Sequence, residues 1–186
     1  MKRVFQKLSL AFSCLIGLGL TTSFAQETNT DNHTVTITIP EVALLDLETT
    51  GSKSFTMAFV APDEAGSKIT APTATTTTWL NYSSIVAIGT TRTVTVAADV
   101  LVGGVDIKVS AAAPAGGGGA LGGAAGPLTL TTTATTLISS IGSCWTGTGN
   151  TSGHQLTYEL ALKSDYESLK HGSKAVVVTY TLTDDL

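Results

Sequence analysis

The stretch Leu156-Thr157-Tyr158-Glu159-Leu160-Ala161-Leu162-Lys163 decides the fold class of this chain. Large apolar side chains occupy every second position, and smaller or polar side chains occupy the positions between them. Because successive side chains of a β-strand point to opposite faces, this period of two predicts a strand with one buried face and one solvated face. Such a strand needs a second apolar surface to cover it, so the stretch indicates two sheets packed face to face.

The same alternation recurs along the chain and predicts a fold made of strands. It is clearest in four further segments, at residues 33–39, 93–96, 105–109 and 176–183. Weaker strand patterns cover residues 42–47, 54–60, 84–88, 128–130 and 136–140, and residues 165–169 predict one helical turn. Many short strands separated by turns are typical of a sandwich, so we expect an all-β antiparallel sandwich of about nine or ten strands.

Two segments of low complexity interrupt this pattern. Residues 70–78 are rich in threonine and contain Pro72, so they are expected to form an extended edge or a surface connection. Residues 111–127 hold seven glycines, and we expect a mobile loop there because ordering glycine costs backbone entropy. Neither segment divides the chain, so residues 26–186 are expected to form one domain that includes the glycine-rich loop.

Residues 1–25 have the features of a secretory signal peptide: basic residues at the start, an apolar run over residues 8–20, and small residues before the cleavage position. The run is too short to span a bilayer, so we expect a secreted protein, in the periplasm, at the cell surface or outside the cell, without a membrane span. Cleavage removes three of the 10 basic residues and leaves seven against 14 acidic residues, a net charge of −7. That charge repels a nucleic-acid backbone, so no nucleic-acid partner is expected.

The exported part of the chain shows no pattern typical of a catalytic, cofactor or metal site. It has no Gly-x-Ser-x-Gly, no glycine loop that ends in Gly-Lys, and no closely spaced Cys and His ligands. We expect His33, His154 and His171 to be solvated, since each lies beside turn residues or at a strand end. The acidic pairs Asp63-Glu64 and Asp184-Asp185 could bind calcium, but are expected to be solvated carboxylates. These features predict a protein that is not an enzyme and uses no cofactor.

Four residues outside the regular alternation deserve separate interpretation. Cys144 is the only cysteine after residue 25, so no disulfide forms within the exported chain, and we expect it to be a small buried side chain. Trp79, Tyr82 and Trp145 carry flat rings that could stack on a sugar, which would make the chain a carbohydrate-binding module. The alternative is that at least one tryptophan fills the core.

From residue 137 onward, the order of features is that of a known type of protein. Ile138-Ser139-Ser140-Ile141-Gly142 is followed by a glycine-rich turn at 147–153, by Leu156-Thr157-Tyr158, and by the closing strand at 175–182. In this order the chain resembles secreted bacterial sandwiches of the pilin and spore-coat-U type. The resemblance implies an immunoglobulin-like fold and a structural role at the cell surface, in a fimbria or in the extracellular matrix. Unlike the common pilin pattern, this chain has no disulfide pair and carries the glycine-rich insertion.

Residues 34–39 form an alternating segment near the start of the exported chain. Val35, Ile37 and Ile39 share one face, and threonines occupy the other. Such a strand either completes the sheet of its own domain or is donated to a neighbouring subunit, with those three side chains as the donated residues. The expected partners are therefore further copies of this chain or related surface subunits, or a glycan if the aromatic residues bind sugar.

Overall fold

The computed structural model describes residues 29–185, in which nearly all regular structure is β. The chain divides into two compact units, Met1–Thr38 and Ile39–Leu186, and the described strands all lie in the second. The described residues contain eleven strands and one turn of 3₁₀ helix at Tyr166–Ser168. The strands are β1 Val42–Thr49, β2 Thr75–Ile85, β3 Arg92–Ala98, β4 Val105–Ala111, β5 Gly118–Gly119, β6 Gly123–Ala124, β7 Leu128–Thr129, β8 Thr135–Ile141, β9 Cys144–Trp145, β10 His154–Leu162 and β11 Val178–Asp184.

The strands form two antiparallel sheets that pack together. One sheet has seven strands, in the order β5-β9-β2-β10-β4-β7, with β1 also paired to β2. The other has four strands, in the order β11-β3-β8-β6. The predicted all-β sandwich is confirmed, with eleven strands in residues 29–185 instead of nine or ten. The predicted helical turn is also present.

The core lies between the sheets and is built from the alternating apolar residues. Leu156 and Tyr158 of β10 belong to the same buried cluster as Val94 and Val96 of β3, and none of these four side chains is more than 6% exposed. Each large apolar side chain buried in this way contributes about 1.5–3 kcal/mol of transfer free energy. The alternation read from the sequence therefore identifies the faces that hold the two sheets together.

β2 is the central strand of the larger sheet, although the sequence predicted an edge or a surface connection for its first residues. It pairs with β1, β10 and β9, so both of its edges are occupied. Residues 75–78 are all threonine, which is β-branched and favours strands, and the alternate residues Thr78, Leu80 and Tyr82 are buried. Thr78, which has partners on both β1 and β10, is buried, so the surface prediction is wrong there. Thr76 and Thr77 are exposed and have no register partner on β1, as expected of an extended edge.

The glycine-rich stretch also differs from the predicted loop, because part of it pairs with the sheets. β5 lies along β9 at one sheet edge, and β6 lies along β8 in the other sheet. A Cβ at Gly119 would collide with the carbonyl oxygen of Ser143, so the chain can lie this close to β9 only without a side chain. Glycine therefore permits the pairing that its entropy cost disfavours. Residues 54–60, by contrast, form no strand and only one isolated bridge, at Val60.

Candidate functional site at the N-terminal segment and the sheet edges

Residues 34–39 are exposed and belong to no strand. The exposed fraction is 68% for Val35, 79% for Ile37 and 71% for Ile39. The strand predicted over residues 33–39 is absent. Leaving a large apolar side chain in water forgoes about 1.5–3 kcal/mol of burial free energy. The segment therefore presents an apolar face that lacks a cover.

Arg92 bonds to the residues at which β1 begins, Glu41 and Val42. Its side chain is 2% exposed and forms ion pairs with Glu41 and Asp184, the second with an Nε to Oδ1 distance of 2.6 Å. Its Nη1 atom also donates to the carbonyl oxygen of Val42 and to two acceptors at the end of β2. Because a buried guanidinium costs several kcal/mol to desolvate, it needs partners of this kind. The side chain thus joins the start of β1 to the ends of β2 and β11.

β1 and β11, the two strands that Arg92 joins, are both edge strands within the described residues. β1 pairs with β2 alone, and β11 pairs with β3 alone, so each leaves one row of backbone N–H and C=O groups unpaired. The edge of β1 is shielded: Asp46 pairs with Lys53 at 2.9 Å, and Asn150 donates to the carbonyl oxygen of Thr49 at 3.3 Å. Charges at an edge oppose the addition of a further strand.

The edge of β11 is less protected. The hydrogen bond from the Asp99 N–H to the Val177 oxygen, 2.9 Å long, sets the phase of the ladder between β3 and β11. By alternation, the backbone groups of Val178, Tyr180 and Leu182 point to the free edge. The side chains of these three residues pack against the core. Residues 178–183 include no charge and no proline, the usual features that oppose strand addition, and β11 lies close to β1 of the other sheet.

Trp145 lies on the outer face of the larger sheet and is 58% exposed. Its register partners are Ser83 of β2 and Gly118 of β5. A Cβ on Gly118 would lie 2.7 Å from the Cη2 atom of the indole, so the ring rests on the backbone of that glycine. Beside it is a shallow groove of about 500 Å³ that Ser83 and Ser143 help to line. A flat ring next to hydroxyl groups is a surface on which a sugar ring can stack.

The structure does not bring the three predicted sugar-binding residues together. Tyr82 is 3% exposed and points into the core, so it cannot stack on a sugar. Trp79 is partly buried, and its register partner is Gln155. Trp145 of β9 is opposite Ser83, which lies four residues after Trp79 on β2. Neither tryptophan belongs to the core cluster, so the expectation that one of them fills the core is wrong. Tyr82 is the aromatic residue of this group that lies there.

His154 is fully buried, which corrects the expectation of a solvated histidine. Its Nδ1 atom is 2.8 Å from the carbonyl oxygen of Ala112, and its Nε2 atom is 2.8 Å from the hydroxyl of Tyr82. That hydroxyl also bonds to the carbonyl oxygen of Leu121. Burial lowers the pKa of His154, and the Ala112 carbonyl opposes this effect. Burial raises the pKa of Tyr82, so its hydroxyl stays protonated at neutral pH.

Sequence reasoning missed both buried polar residues, although the sequence contains a signal for each. Arg92 is in phase with Val94, and His154 is in phase with Leu156, so alternation alone assigns both to the core face. The expectation of a solvated His154 followed from the residue type, whereas its phase in the strand places it in the core. The two other histidines are exposed, as expected: His33 and His171.

Cys144 is buried and free, as the sequence predicted. Burial raises the pKa of its thiol, and a thiol that stays protonated is a poor nucleophile. The side chain therefore behaves as a small apolar residue beneath the outer face that carries Trp145.

The carboxylates at the end of β11 are exposed, as expected, and neighbouring side chains also bond to them. Asp184 pairs with Arg92, and Asp185 accepts hydrogen bonds from the hydroxyls of Thr91, at 2.6 Å, and of Thr93. These two bonds lower the pKa of Asp185. In residues 29–185, no group of three or more His, Cys, Asp or Glu side chains is placed to hold a metal ion.

Comparison of the chain with protein-family models, with curated proteins and with solved structures gives no significant match. The predicted signal peptide, residues 1–25, lies outside the described residues. Between residues 29 and 185, no helix has the length and apolar character needed to cross a membrane.

Proposed function

We propose that this chain is an exported structural subunit of a bacterial surface or matrix assembly, that it is not an enzyme, and that it joins its neighbours by strand donation. The observation that carries the proposal is the uncovered apolar face of Val35, Ile37 and Ile39. A sandwich with an unprotected strand edge at β11 supports it. The immunoglobulin-like fold and the pilin-type resemblance belong to the same proposal.

If β1 were extended toward the N-terminus, the added residues would find no partner on β2. Val42, the first residue of β1, is already opposite Ile85, the last residue of β2. Residues 39–41 therefore have no register partner on β2. Pro40 also lacks the N–H that a ladder requires. A segment placed in this way is available to a second copy.

The edge of β11 suits this segment in backbone and side-chain terms. A strand added there would meet the free backbone groups of Val178, Tyr180 and Leu182, whose side chains face the core. Val178 and Leu182 are only partly buried, so apolar side chains of an added strand would extend their cover. Strand addition of this kind takes its affinity from backbone hydrogen bonds and its specificity from alternate side chains.

The strength of the contact can be bounded. Burying three large apolar side chains contributes about 5–9 kcal/mol in total. Association costs about 4–15 kcal/mol in lost translational and rotational freedom. The two quantities nearly cancel, so we expect assembly to depend on added backbone hydrogen bonds and to rise steeply with protein concentration.

The experiment measures the mass distribution of the exported chain, residues 26–186, over a wide range of concentrations. The wild-type chain is expected to form concentration-dependent oligomers. The triple variant Val35→Ser, Ile37→Ser, Ile39→Ser is expected to stay monomeric. The matched control changes the other face, with Thr34→Ser, Thr36→Ser and Thr38→Ser, and is expected to assemble like the wild type.

A second measurement separates donor from acceptor. A peptide of residues 31–41 should bind the triple serine variant, whose β11 edge is intact, and a charged substitution at that edge, Thr181→Lys, should weaken binding. A wild-type chain that is monomeric at all concentrations, or a triple serine variant that assembles normally, would refute strand donation.

A second candidate function rests on Trp145 alone. The exposed indole, supported by Gly118 and next to serine hydroxyls, is suited to stacking on a pyranose ring. A glycan array should then give a signal that Trp145→Ala abolishes and Trp79→Ala leaves unchanged. A structural subunit without a sugar site gives no signal that depends on Trp145.

A further inference from the structure

The buried chain of hydrogen bonds from Ala112 through His154 and Tyr82 to Leu121 needs more protons than its neutral groups hold. Both ends are carbonyl oxygens, which only accept. Three contacts lie between them, so three protons are required. A neutral imidazole supplies one proton and the Tyr82 hydroxyl supplies one. One of the three contacts must therefore be empty as long as His154 is neutral.

When His154 is neutral, the cluster has two arrangements, and each makes two of the three hydrogen bonds. The two arrangements differ in which carbonyl oxygen has no donor. With the proton on Nδ1, His154 holds Ala112 and accepts from the Tyr82 hydroxyl, so Leu121 has no donor. With the proton on Nε2, His154 donates to Tyr82, and the hydroxyl donates to Leu121, so Ala112 has no donor. Protonation of both ring nitrogens satisfies every contact at once.

The two carbonyls flank the part of the glycine-rich stretch that forms β5. β5 pairs with β9 and carries the glycine on which Trp145 rests. A bond at Ala112 holds the stretch where it leaves β4, and a bond at Leu121 holds it just after β5. Backbone hydrogen bonds at Ala115 and Ala120 hold this stretch in every protonation state. The proton positions on His154 and Tyr82 therefore determine which of the two carbonyls adds a further bond.

Few titratable groups surround the ring. Tyr82 faces it from β2, stacked with a ring-centroid distance of 5.6 Å, and Cys144 of β9 acts on Tyr82 electrostatically. The glycine-rich stretch contributes carbonyl groups only. Within residues 29–185, no carboxylate is among the groups that act on His154. The third proton must therefore come from solvent, without a built-in counter-ion.

We propose that His154 and Tyr82 form a proton-dependent latch on residues 112–121, which adds a hydrogen bond to one of the two carbonyls when the imidazole is neutral and to both when it is protonated. Proton uptake would then tighten the cap that β5 forms on β9. This latch is independent of strand donation at β11, since it lies at a different sheet edge.

The test uses ¹⁵N NMR on the exported chain. At pH 7.5, the two ring nitrogens of His154 are expected to show shifts that average two tautomers, whereas His33 and His171 serve as exposed references. On acidification through the titration of His154, hydrogen exchange of the amides of residues 113 and 115–122, corrected for the intrinsic rate, is expected to slow about tenfold, the effect of one added hydrogen bond.

Tyr82→Phe removes the relay to Leu121. It should leave a single neutral tautomer, with the proton on Nδ1, and abolish the pH dependence of exchange in residues 113–122. Tyr158→Phe is the matched control, since that tyrosine is also buried but bonds to Tyr180 at 2.6 Å. If Tyr82→Phe does not fold, the wild-type spectrum decides: a single tautomer at pH 7.5 with exchange that does not slow on acidification refutes the latch.

Discussion

Residues 34–39 and residues 75–85 reverse the expectation that apolar segments are buried and polar segments are exposed. The first segment has the cleaner apolar alternation, yet Ile37 is 79% exposed. The second begins with four threonines, yet it is the central strand, and its Leu80 is fully buried. Alternation describes the two faces of a strand, whereas burial depends on the partners that the fold supplies on each edge and each face.

The largest expected effect tests this contrast directly. Leu80→Ala should lower the free energy of unfolding by about 2–5 kcal/mol, because it leaves a cavity between the sheets. Ile37→Ala should change the free energy of unfolding of the monomer by less than about 0.5 kcal/mol, because the Ile37 side chain is already in solvent. Denaturant unfolding at a concentration low enough to exclude oligomers measures both. Equal losses for the two variants would mean that residues 34–39 are part of the folded core.

Arg92 is buried and bonds to residues at the start of β1, where the exposed N-terminal segment ends. The double variant Glu41→Gln, Asp184→Asn leaves its buried guanidinium without a carboxylate and should cost about 3 kcal/mol. Lys53→Gln, which breaks the exposed ion pair with Asp46, should cost under about 1 kcal/mol and serves as the control. A double variant as stable as the control would show that the carbonyl acceptors alone satisfy Arg92.

A smaller effect should distinguish the buried histidine of β10 from the exposed histidine of the N-terminal segment. Because burial lowers the pKa of His154 in the folded state, the unfolded chain takes up the proton first. The unfolding free energy should therefore be highest above about pH 6.5, the ordinary value for histidine, and fall as the pH is lowered toward 5. This loss of global stability is separate from the local tightening of residues 112–121.

The histidine prediction is checked by unfolding curves between pH 7.5 and 5. That range lies above the pH at which Asp46 and Asp185 take up protons, since the pKa of each is lowered. His33→Gln should keep the wild-type pH dependence, and His154→Gln should lose it. A His154→Gln variant with the full pH dependence would assign the effect to another group.

The sequence predicted the fold well where apolar residues alternate between two covered faces, as in β4 and β10. It failed at Thr78, because a threonine there suggests surface although strands pair with it on both sides, and at β5, because glycine pairing depends on a close backbone approach. For the candidate site, Val35, Ile37 and Ile39 were identifiable as a shared face. The free edge of β11 was not, since an edge is a property of strand order and not of the strand itself.

His154 and Arg92 were predictable from the sequence only in part. Their alternation phase was readable from the sequence, but their partners were not. Ala112, Tyr82 and Leu121 come from three separate parts of the chain, and only the folded sheets bring them to one imidazole.

Which residues share a face was readable from the amino-acid order alone, because the geometry of an extended chain places alternate side chains on opposite sides whatever the fold. The tertiary structure decided which of those faces are covered, which edges stay open and where the polar groups find acceptors. The physical reason is that burial and pairing depend on contacts between residues far apart in the chain, and such contacts exist only after the sheets have packed.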